Sequence, residues 1–235
     1  NHDGNLTCRI GPDRVLATPT ALSKADVTDG DLVVVDGAGE KVSGKRRSFS
    51  EMALHLAVYR ARRDVGAIVH AHPPYATAMA VAGRGMDEPI LAEAVVSLGP
   101  RIPLVPFAMP KTPGWVEGVA AHAVEFDAVL LENHGAMAWG TDLEQAFLRL
   151  ELVEHLAQIT HHSMAFGGPQ TLDAAQLGPL LASRTKAGLG PVARGVAPAR
   201  SAVNAPPAAG VKPSAAGTID RARLVAIITD ELTKL

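Results

Sequence analysis

The sequence predicts an α/β fold in which short apolar strands alternate with amphipathic helices. The chain has 235 residues, enough for one sizeable domain, and its 47% of hydrophobic residues are enough to fill a core. Short apolar runs closed by Gly, Pro or Asp, such as 32–35 and 67–72, predict buried strands. Between these two runs, apolar residues recur at helical spacing over 48–62, which predicts an amphipathic helix.

The same two periodicities continue along the chain. Strands are predicted at 6–10, 15–17, 32–35, 67–72, 102–105, 128–131 and 137–139, and helices at 48–62, 75–82, 114–123 and 142–162. Asp142 is the type of residue that caps a helix N-terminus, so we expect the last of these helices to begin there.

The composition changes after residue 168. We expect a folded domain that carries the chemistry over 1–168, a linker rich in Ala, Pro and Gly over 169–217, and an amphipathic helix over 218–235. The tight turn at Gly4-Asn5 opens the sequence without an element before it, so we also expect an N-terminal helix to be missing ahead of it.

Charge and cysteine usage exclude several classes of function. The formal charge is −2, from 22 basic and 24 acidic residues, so nucleic-acid and membrane partners are not expected. Apolar runs all fall short of the roughly 20 residues that span a bilayer. The single cysteine, Cys8, excludes an internal disulfide and a cysteine-rich zinc site. We therefore expect a cytoplasmic protein that acts on a small molecule.

Three histidines are candidate metal ligands. His70 and His72 lie two residues apart on a predicted strand, so their side chains point to the same face. A catalytic metal site commonly takes three protein ligands, and His134, between a buried strand and Gly135, is the best third candidate. The alternative is that His70 and His72 are half-buried strand residues with satisfied hydrogen bonds. The other histidines, interpreted as surface or packing residues, are His2, His55, His122, His155, His161 and His162.

Glu51 has two interpretations that local sequence leaves open. The run from Ser48 to Glu51 has the S-x-x-E form of a capping box, which would explain the glutamate without catalysis. The start of the same helix is also a natural anion site, with Ser50 and free N–H groups available. The turns at Gly4-Asn5 and at 18–20 offer further amide and hydroxyl donors, or are ordinary turns.

Taken in chain order, these segments resemble the class II aldolase/adducin family over residues 1 to about 165. The matching stretches are 4–7, 18–20, 50–51, 55–62, 64–78 and 130–140. The resemblance implies a three-layer α/β/α fold with a mostly antiparallel central sheet, a helix before Gly4 and a homotetramer.

The resemblance also implies an enzyme with a divalent cation held by His70, His72 and His134. Zinc is the cation it favours, with manganese, iron and cobalt as alternatives. Glu51 matches the family's catalytic glutamate, which moves a proton at the reacting carbon. The implied reaction is a lyase reaction: aldol cleavage of a small sugar-like hydroxycarbonyl compound through a metal-stabilised enediolate.

A phosphate of the substrate is implied to bind at Gly4, Asn5, Thr20 and Ser50. Two departures weaken the inference that the substrate is phosphorylated. They are Phe49, where the family commonly has a serine, and Ala21, where it often has a glycine.

Two tyrosines of the L-fuculose-phosphate aldolases lack a counterpart in this chain. Glu93 stands where one of them acts as proton donor, and no tyrosine follows Tyr75. A metal-dependent decarboxylase, an epimerase or a dehydratase on the same fold therefore stays open. So does a non-catalytic, adducin-like scaffold, although a scaffold has no reason to keep the three histidines and Glu51 together.

Overall fold

The computed structural model describes residues 3–195, and its centre is one eight-stranded sheet. The strands are β1 (Asn5–Gly11), β2 (Arg14–Ala17), β3 (Val33–Val35), β4 (Lys41–Ser43), β5 (Ala67–Ala71), β6 (Leu104–Val105), β7 (Ala128–Leu131) and β8 (Gly135–Gly140). Their order in the sheet is β4-β3-β2-β1-β5-β8-β7-β6. Neighbouring strands run antiparallel except β6 and β7, which are parallel. The expectation of a mostly antiparallel sheet is confirmed.

Helices cover both faces of this sheet. They are α1 (Met52–Ala61), α2 (Pro74–Val81), α3 (Ala92–Ser97), α4 (Pro113–Ala123), α5 (Leu143–Ser163), α6 (Ala174–Lys186) and α7 (Gly190–Ala193). Helices α1 and α4 pack together on one face, while α2 and α5 pack on the other, and α3 and α6 pack against each other. The three-layer α/β/α architecture is therefore confirmed. Among the described helices, none has the length and apolar character needed to cross a bilayer.

The two-residue period of the central strands separates two cores. In β5, Ala67 and Val69 lie in the core beneath α5, whereas Ile68 lies in the core beneath α1. In β8, Ala138 lies in the core beneath α5, and Trp139 lies in the core beneath α1. Both faces of these strands are buried, which explains why they read in the sequence as continuous apolar runs.

Up to residue 168, the predicted strands and helices match the observed ones closely, apart from strand β4 and helix α3. Helix α5 begins after Asp142, whose carboxylate accepts a hydrogen bond from the backbone N–H of Gln145, as predicted. Strand β4 was not predicted because it is a three-residue edge strand, exposed throughout, with no apolar periodicity. Helix α3 was not predicted because six residues are too few to show a helical period.

The C-terminal part of the described chain corrects one prediction. Helices α6 and α7 lie inside the range 169–217, which the sequence predicted to be linker. Asp173 caps α6 by accepting from the backbone N–H of Gln176, while the Gln176 side chain accepts from the Asp173 backbone. The rest of the predicted linker and the predicted helix at 218–235 lie outside the described residues.

A buried carboxylate joins this C-terminal part to the sheet. Asp127, directly before β7, is fully buried and lies within 3.3 Å of four guanidinium groups. They belong to Arg62, Arg149, Arg184 and Arg194, and the shortest contact is 2.6 Å, to Arg184 of α6. Burial raises the pKa of Asp127, but the four positive charges outweigh burial and hold that pKa below its usual value.

Replacing Asp127 by Asn should destabilise the protein strongly, because buried guanidinium groups would lose their counter-charge. We expect the free energy of unfolding at pH 7 to fall by about 3–5 kcal/mol, measured by urea denaturation. The folded-state pKa lies below the unfolded one, so the contribution is present above the unfolded pKa near 4 and is lost at lower pH. The difference between wild type and variant should therefore shrink on acidification.

The matched control is Asp13→Asn, since Asp13 also pairs with an arginine, Arg14 at 3.1 Å, but is exposed. The free energy of unfolding of this control variant should differ from that of wild type by no more than about 0.5 kcal/mol. Equal destabilisation by the two variants would contradict the role given to Asp127.

Candidate metal centre and active site

Strand β5 delivers the first two histidines. His70 lies in the strand on the face of Ile68, towards α1, and His72 follows one residue after the strand ends. Pro73 is the N-cap residue of α2 and stops the strand there. His70 is 2% exposed, whereas His72 is half-buried, so the pair runs from the core to the surface.

A tight turn between β7 and β8 returns the third histidine to the same point. Asn133 has a φ of +56°, a conformation that Asn tolerates better than most residues, and the His134 N–H donates to the Leu131 carbonyl at 3.0 Å. Gly135 follows, where a Cβ would come within 2.6 Å of the His72 ring. The missing side chain of Gly135 therefore allows the turn to lie directly against His72.

The three rings meet through their Nε2 atoms. His70 Nε2 lies 3.1 Å from His72 Nε2 and 3.1 Å from His134 Nε2, and candidate ligand atoms of all three lie within 4.8 Å of one another. His70 Nδ1 lies 2.9 Å from the Ala136 carbonyl, which can only accept, so the proton belongs on Nδ1. The lone pair of Nε2 then faces the other two rings, as a metal ligand requires.

Burial favours the neutral form of His70 and His72. It lowers the pKa of His70 to about 4, although the carboxylate of Glu51 acts in the opposite direction. Burial and the neighbouring His134 also lower the pKa of His72. Neutral imidazole is the form that binds a divalent transition metal, so the donor set fits such a cation.

Glu51 completes the cluster. One carboxylate oxygen lies 2.8 Å from His134 Nε2, and the other accepts from Asn5 Nδ2 at 2.6 Å and lies 3.5 Å from His70 Nε2. Burial raises the pKa of Glu51, but its contacts with His134, His70 and Asn5 outweigh burial and hold that pKa well below its usual range. The residue is therefore a carboxylate beside the three imidazoles.

The capping-box interpretation of Glu51 is wrong. Helix α1 begins at Met52, so Glu51 is its N-cap residue rather than the third helical residue, and its side chain makes no capping hydrogen bond. The carboxylate turns to Asn5 and His134 instead.

A row of polar contacts between β1 and α1 sets the position of Glu51. Asn5 contacts Glu51, and two residues on, Thr7 Oγ1 lies 2.8 Å from His55 Nδ1 and 3.0 Å from the Tyr59 hydroxyl. The spacings along the two elements match: from Asn5 to Thr7 the strand advances roughly 6.7 Å, and from Glu51 to His55 the helix advances about 6 Å. His55 is fully buried here, and burial lowers its pKa to about 3. It is a packing histidine, as the sequence indicated, but its contact with Thr7 depends on tertiary structure.

The remaining predicted residues border the cluster. Gly4 has a φ of +75°, and a Cβ there would approach the His70 carbonyl to 2.6 Å, so only glycine suits this turn. The Thr20 N–H donates to the Arg47 carbonyl at 3.1 Å, which ties the 18–20 turn to the segment leading into Ser50. Both Thr20 and Ser50 have exposed side chains.

Two departures noted in the sequence have structural consequences. Phe49 is buried, and its ring packs 5.0 Å from the His55 ring, so it belongs to the core beneath α1. Glu93 is an exposed residue in the first turn of α3.

Comparison with known proteins shows a consistent set of relatives. The family model described as class II aldolase and adducin N-terminal domain matches residues 1–161. A 5-deoxy-D-ribulose 1-phosphate aldolase of Bacillus thuringiensis is 31% identical over 158 residues, 67% of this chain and 73% of the relative. A 3-oxo-tetronate 4-phosphate decarboxylase of Haemophilus influenzae is 32% identical over 160 residues, 66% and 75% of the two chains.

A solved structure agrees with these relatives. An L-fuculose 1-phosphate aldolase structure superposes with a TM-score of 0.71 at 29% identity, covering 76% of this chain and 84% of that one.

Replacing His134 by Ala should abolish metal binding, because only two of the three proposed histidine ligands would remain. Wild type, loaded with zinc and dialysed, should retain about one equivalent per chain by elemental analysis, and the variant close to none. His155→Ala is the control, since His155 is exposed on α5. Full metal content in His134→Ala would rule out the three-histidine assignment.

Proposed function

The chain belongs to the class II aldolase and adducin family, and from this premise we propose that it is a divalent-metal-dependent carbon–carbon lyase. The proposed reaction is aldol cleavage of a small, sugar-like hydroxycarbonyl compound. The observation that supports it best is the convergence of three imidazole Nε2 atoms on one point, with a carboxylate oxygen 2.8 Å from one of them.

His70, His72 and His134 would hold the cation, and we propose zinc, with manganese, iron and cobalt as cations that the same donors accept. When bound, such a cation supplies Lewis-acid stabilisation of the negative charge that develops on carbonyl and hydroxyl oxygens of the substrate. The hydrogen bond from His70 Nδ1 to the Ala136 carbonyl fixes the tautomer that this role requires.

Glu51 is the proposed acid/base. Its carboxylate is charged, its side chain is 17% exposed, and one of its oxygens accepts a hydrogen bond from the side-chain amide of Asn5. A carboxylate in this state can accept a proton at the reacting carbon and return it, and the Asn5 contact keeps it aimed at the cluster. Met52 and the rest of α1 anchor its backbone in the core.

A phosphate group of the substrate would bind beside this centre, at Gly4, Asn5, Thr20 and Ser50. Gly4 is half-buried with a positive φ, and the hydroxyls of Thr20 and Ser50 are exposed. Backbone N–H and hydroxyl donors of this kind suit an anion. The names of the aldolase relatives, which refer to sugar 1-phosphates, support a phosphorylated substrate.

A metal-dependent decarboxylase is the second candidate, since one relative is named as a decarboxylase of a phosphorylated oxo acid. Loss of carbon dioxide leaves the same kind of enolate as aldol cleavage, so the same histidines and Glu51 would serve. The missing tyrosines, at position 93 and after Tyr75, favour this candidate, because an aldolase needs a second group that donates a proton.

Three further properties are proposed from family membership and composition alone. We propose a homotetramer, a cytoplasmic location and carbohydrate metabolism as the setting. The single, buried cysteine supports the reducing compartment.

A cleavage assay with and without a chelator tests the proposed function. Zinc-loaded protein is incubated with sugar 1-phosphates that include fuculose 1-phosphate, and release of dihydroxyacetone phosphate is measured. We expect release that the chelator abolishes. Release of carbon dioxide from 3-oxo acid phosphates alone would select the decarboxylase, and neither product from metal-loaded protein would contradict both.

Replacing Glu51 by Gln should lower kcat by roughly 10²- to 10⁴-fold while leaving metal content unchanged, because the amide cannot take up the proton. Glu117→Gln is the control, since Glu117 is exposed on α4. Unchanged kcat in Glu51→Gln would contradict the acid/base role.

A further inference from the structure

An apolar groove lies between α5, the end of α3 and the start of α7. Its volume is about 740 Å³, which leaves room for the side chains of one more helix. Leu148 and Leu152 line the groove from one face of α5, because they are four residues apart, and Leu189 lines it from the residue before α7. Leu148 is 52% exposed, so this part of α5 presents an apolar surface to solvent.

Carboxylates surround these leucines. Asp142, Glu144 and Glu151 also line the groove, and all three are exposed. Arg149 lines it too, but its guanidinium contacts the buried carboxylate of Asp127 at 3.3 Å. An apolar surface with such an acidic rim fits a helix that carries apolar residues with arginines beside them.

The C-terminal segment of this chain, residues 218–235, has an apolar stripe of this kind. The sequence predicts an amphipathic helix there, and the segment lies outside the described residues. Leu224, Ile228 and Leu232 recur every four residues, which in a helix places them on one face. The segment needs an apolar surface to pack against, because an isolated helix of this length is only marginally stable in water.

The basic residues of the segment lie at its N-terminal end, where Arg221 and Arg223 outnumber Asp220. The acidic pair at 230–231 follows at the other end. Arg221 comes three residues before Leu224, so in a helix its guanidinium would lie beside the apolar stripe. The N-terminal half of the segment therefore carries the positive charge that suits the acidic rim of the groove.

The described chain ends next to the groove, which favours a segment of the same chain as its occupant. Leu189 lines the groove, and Gly195 is the last described residue. The stretch 196–217 joins that point to the segment, and a chain of roughly twenty residues can span up to about 70 Å. Because the segment is covalently attached, its effective concentration at the groove would be on the order of millimolar, far above that of a free protein.

We propose that the groove binds segment 218–235 of the same chain, with the apolar stripe packed against Leu148 and Leu152 and the arginines beside the acidic rim. The proposal concerns the outer face of α5 and does not depend on the proposed function. A second copy of the chain is the competing occupant, since exposed apolar surfaces are also typical of subunit interfaces. The two occupants differ in whether the contact forms within one chain or between two chains.

Cysteine cross-linking in the full 235-residue chain tests the proposal. Ser97→Cys puts a thiol at the groove, which Ser97 already lines, and Thr229→Cys puts one on the segment without removing an apolar residue. Burial raises the pKa of the native Cys8 thiol to about 12, so a bismaleimide leaves Cys8 unlabelled. The control pair is Ser43→Cys with Thr229→Cys, since Ser43 lies on the exposed edge strand β4.

We expect the Ser97 pair to cross-link within one chain at a yield roughly tenfold above that of the Ser43 pair, measured by gel electrophoresis and peptide mass spectrometry. Equal yields for the two pairs would overturn the proposal. A product of doubled mass from the Ser97 pair would overturn it as well, because the groove would then belong to an interface between two copies.

Leu148→Glu, added to the Ser97 pair, tests whether the segment binds through the apolar lining. Leu148 is exposed, so the fold should tolerate a glutamate there, and we expect the cross-link yield to fall to that of the Ser43 pair. Val124→Glu is the matched control, because Val124 is also exposed but follows α4 on the opposite face of the sheet. An unchanged yield in Leu148→Glu would contradict binding of the segment in this groove.

Discussion

The register of β5 between β1 and β8 is the constraint on which the site depends. His70 lies opposite Asn5 of β1 and opposite Met137 of β8. Because side chains alternate along a strand, this register points His70 to the face covered by α1, and Glu51 lies at the start of that helix. A shift of one residue would turn His70 into the apolar core beneath α5 and bring Ala71 into its place. The apolar residues of both faces, such as Ile68 and Val69, therefore fix the candidate metal site as well as the fold.

The histidines and the Glu51 carboxylate influence each other's charge because they lie in contact. Burial favours the neutral form of His70 and His72, and the contacts of Glu51 with His134, His70 and Asn5 hold the pKa of Glu51 well below its usual range. The polar row from Asn5 and Thr7 to His55 holds the helix that carries this carboxylate. A charged base beside neutral ligands is the combination that metal-assisted proton transfer needs, and it arises from the packing of one helix on one strand.

That the three histidines and Glu51 come together could be predicted from the sequence. The two-residue spacing on a strand and the Gly after His134 are local signals, and the resemblance to a family covers all four residues. The role of Glu51 as N-cap residue could not be predicted, since the start of α1 depends on contacts with β1. The helices at 174–193 were missed because their anchor, Arg184 on Asp127, joins residues far apart in the chain.

X-ray absorption spectroscopy at the zinc edge of the metal-loaded protein tests the central claim most directly, since it reports the atoms bound to the cation. The spectrum should show three imidazole nitrogens at about 2.0–2.1 Å, with the remaining ligands oxygen. A sulfur ligand, or fewer than three imidazoles, would mean that the cation does not lie on His70, His72 and His134. The site would then need a different explanation, even though the fold would stand.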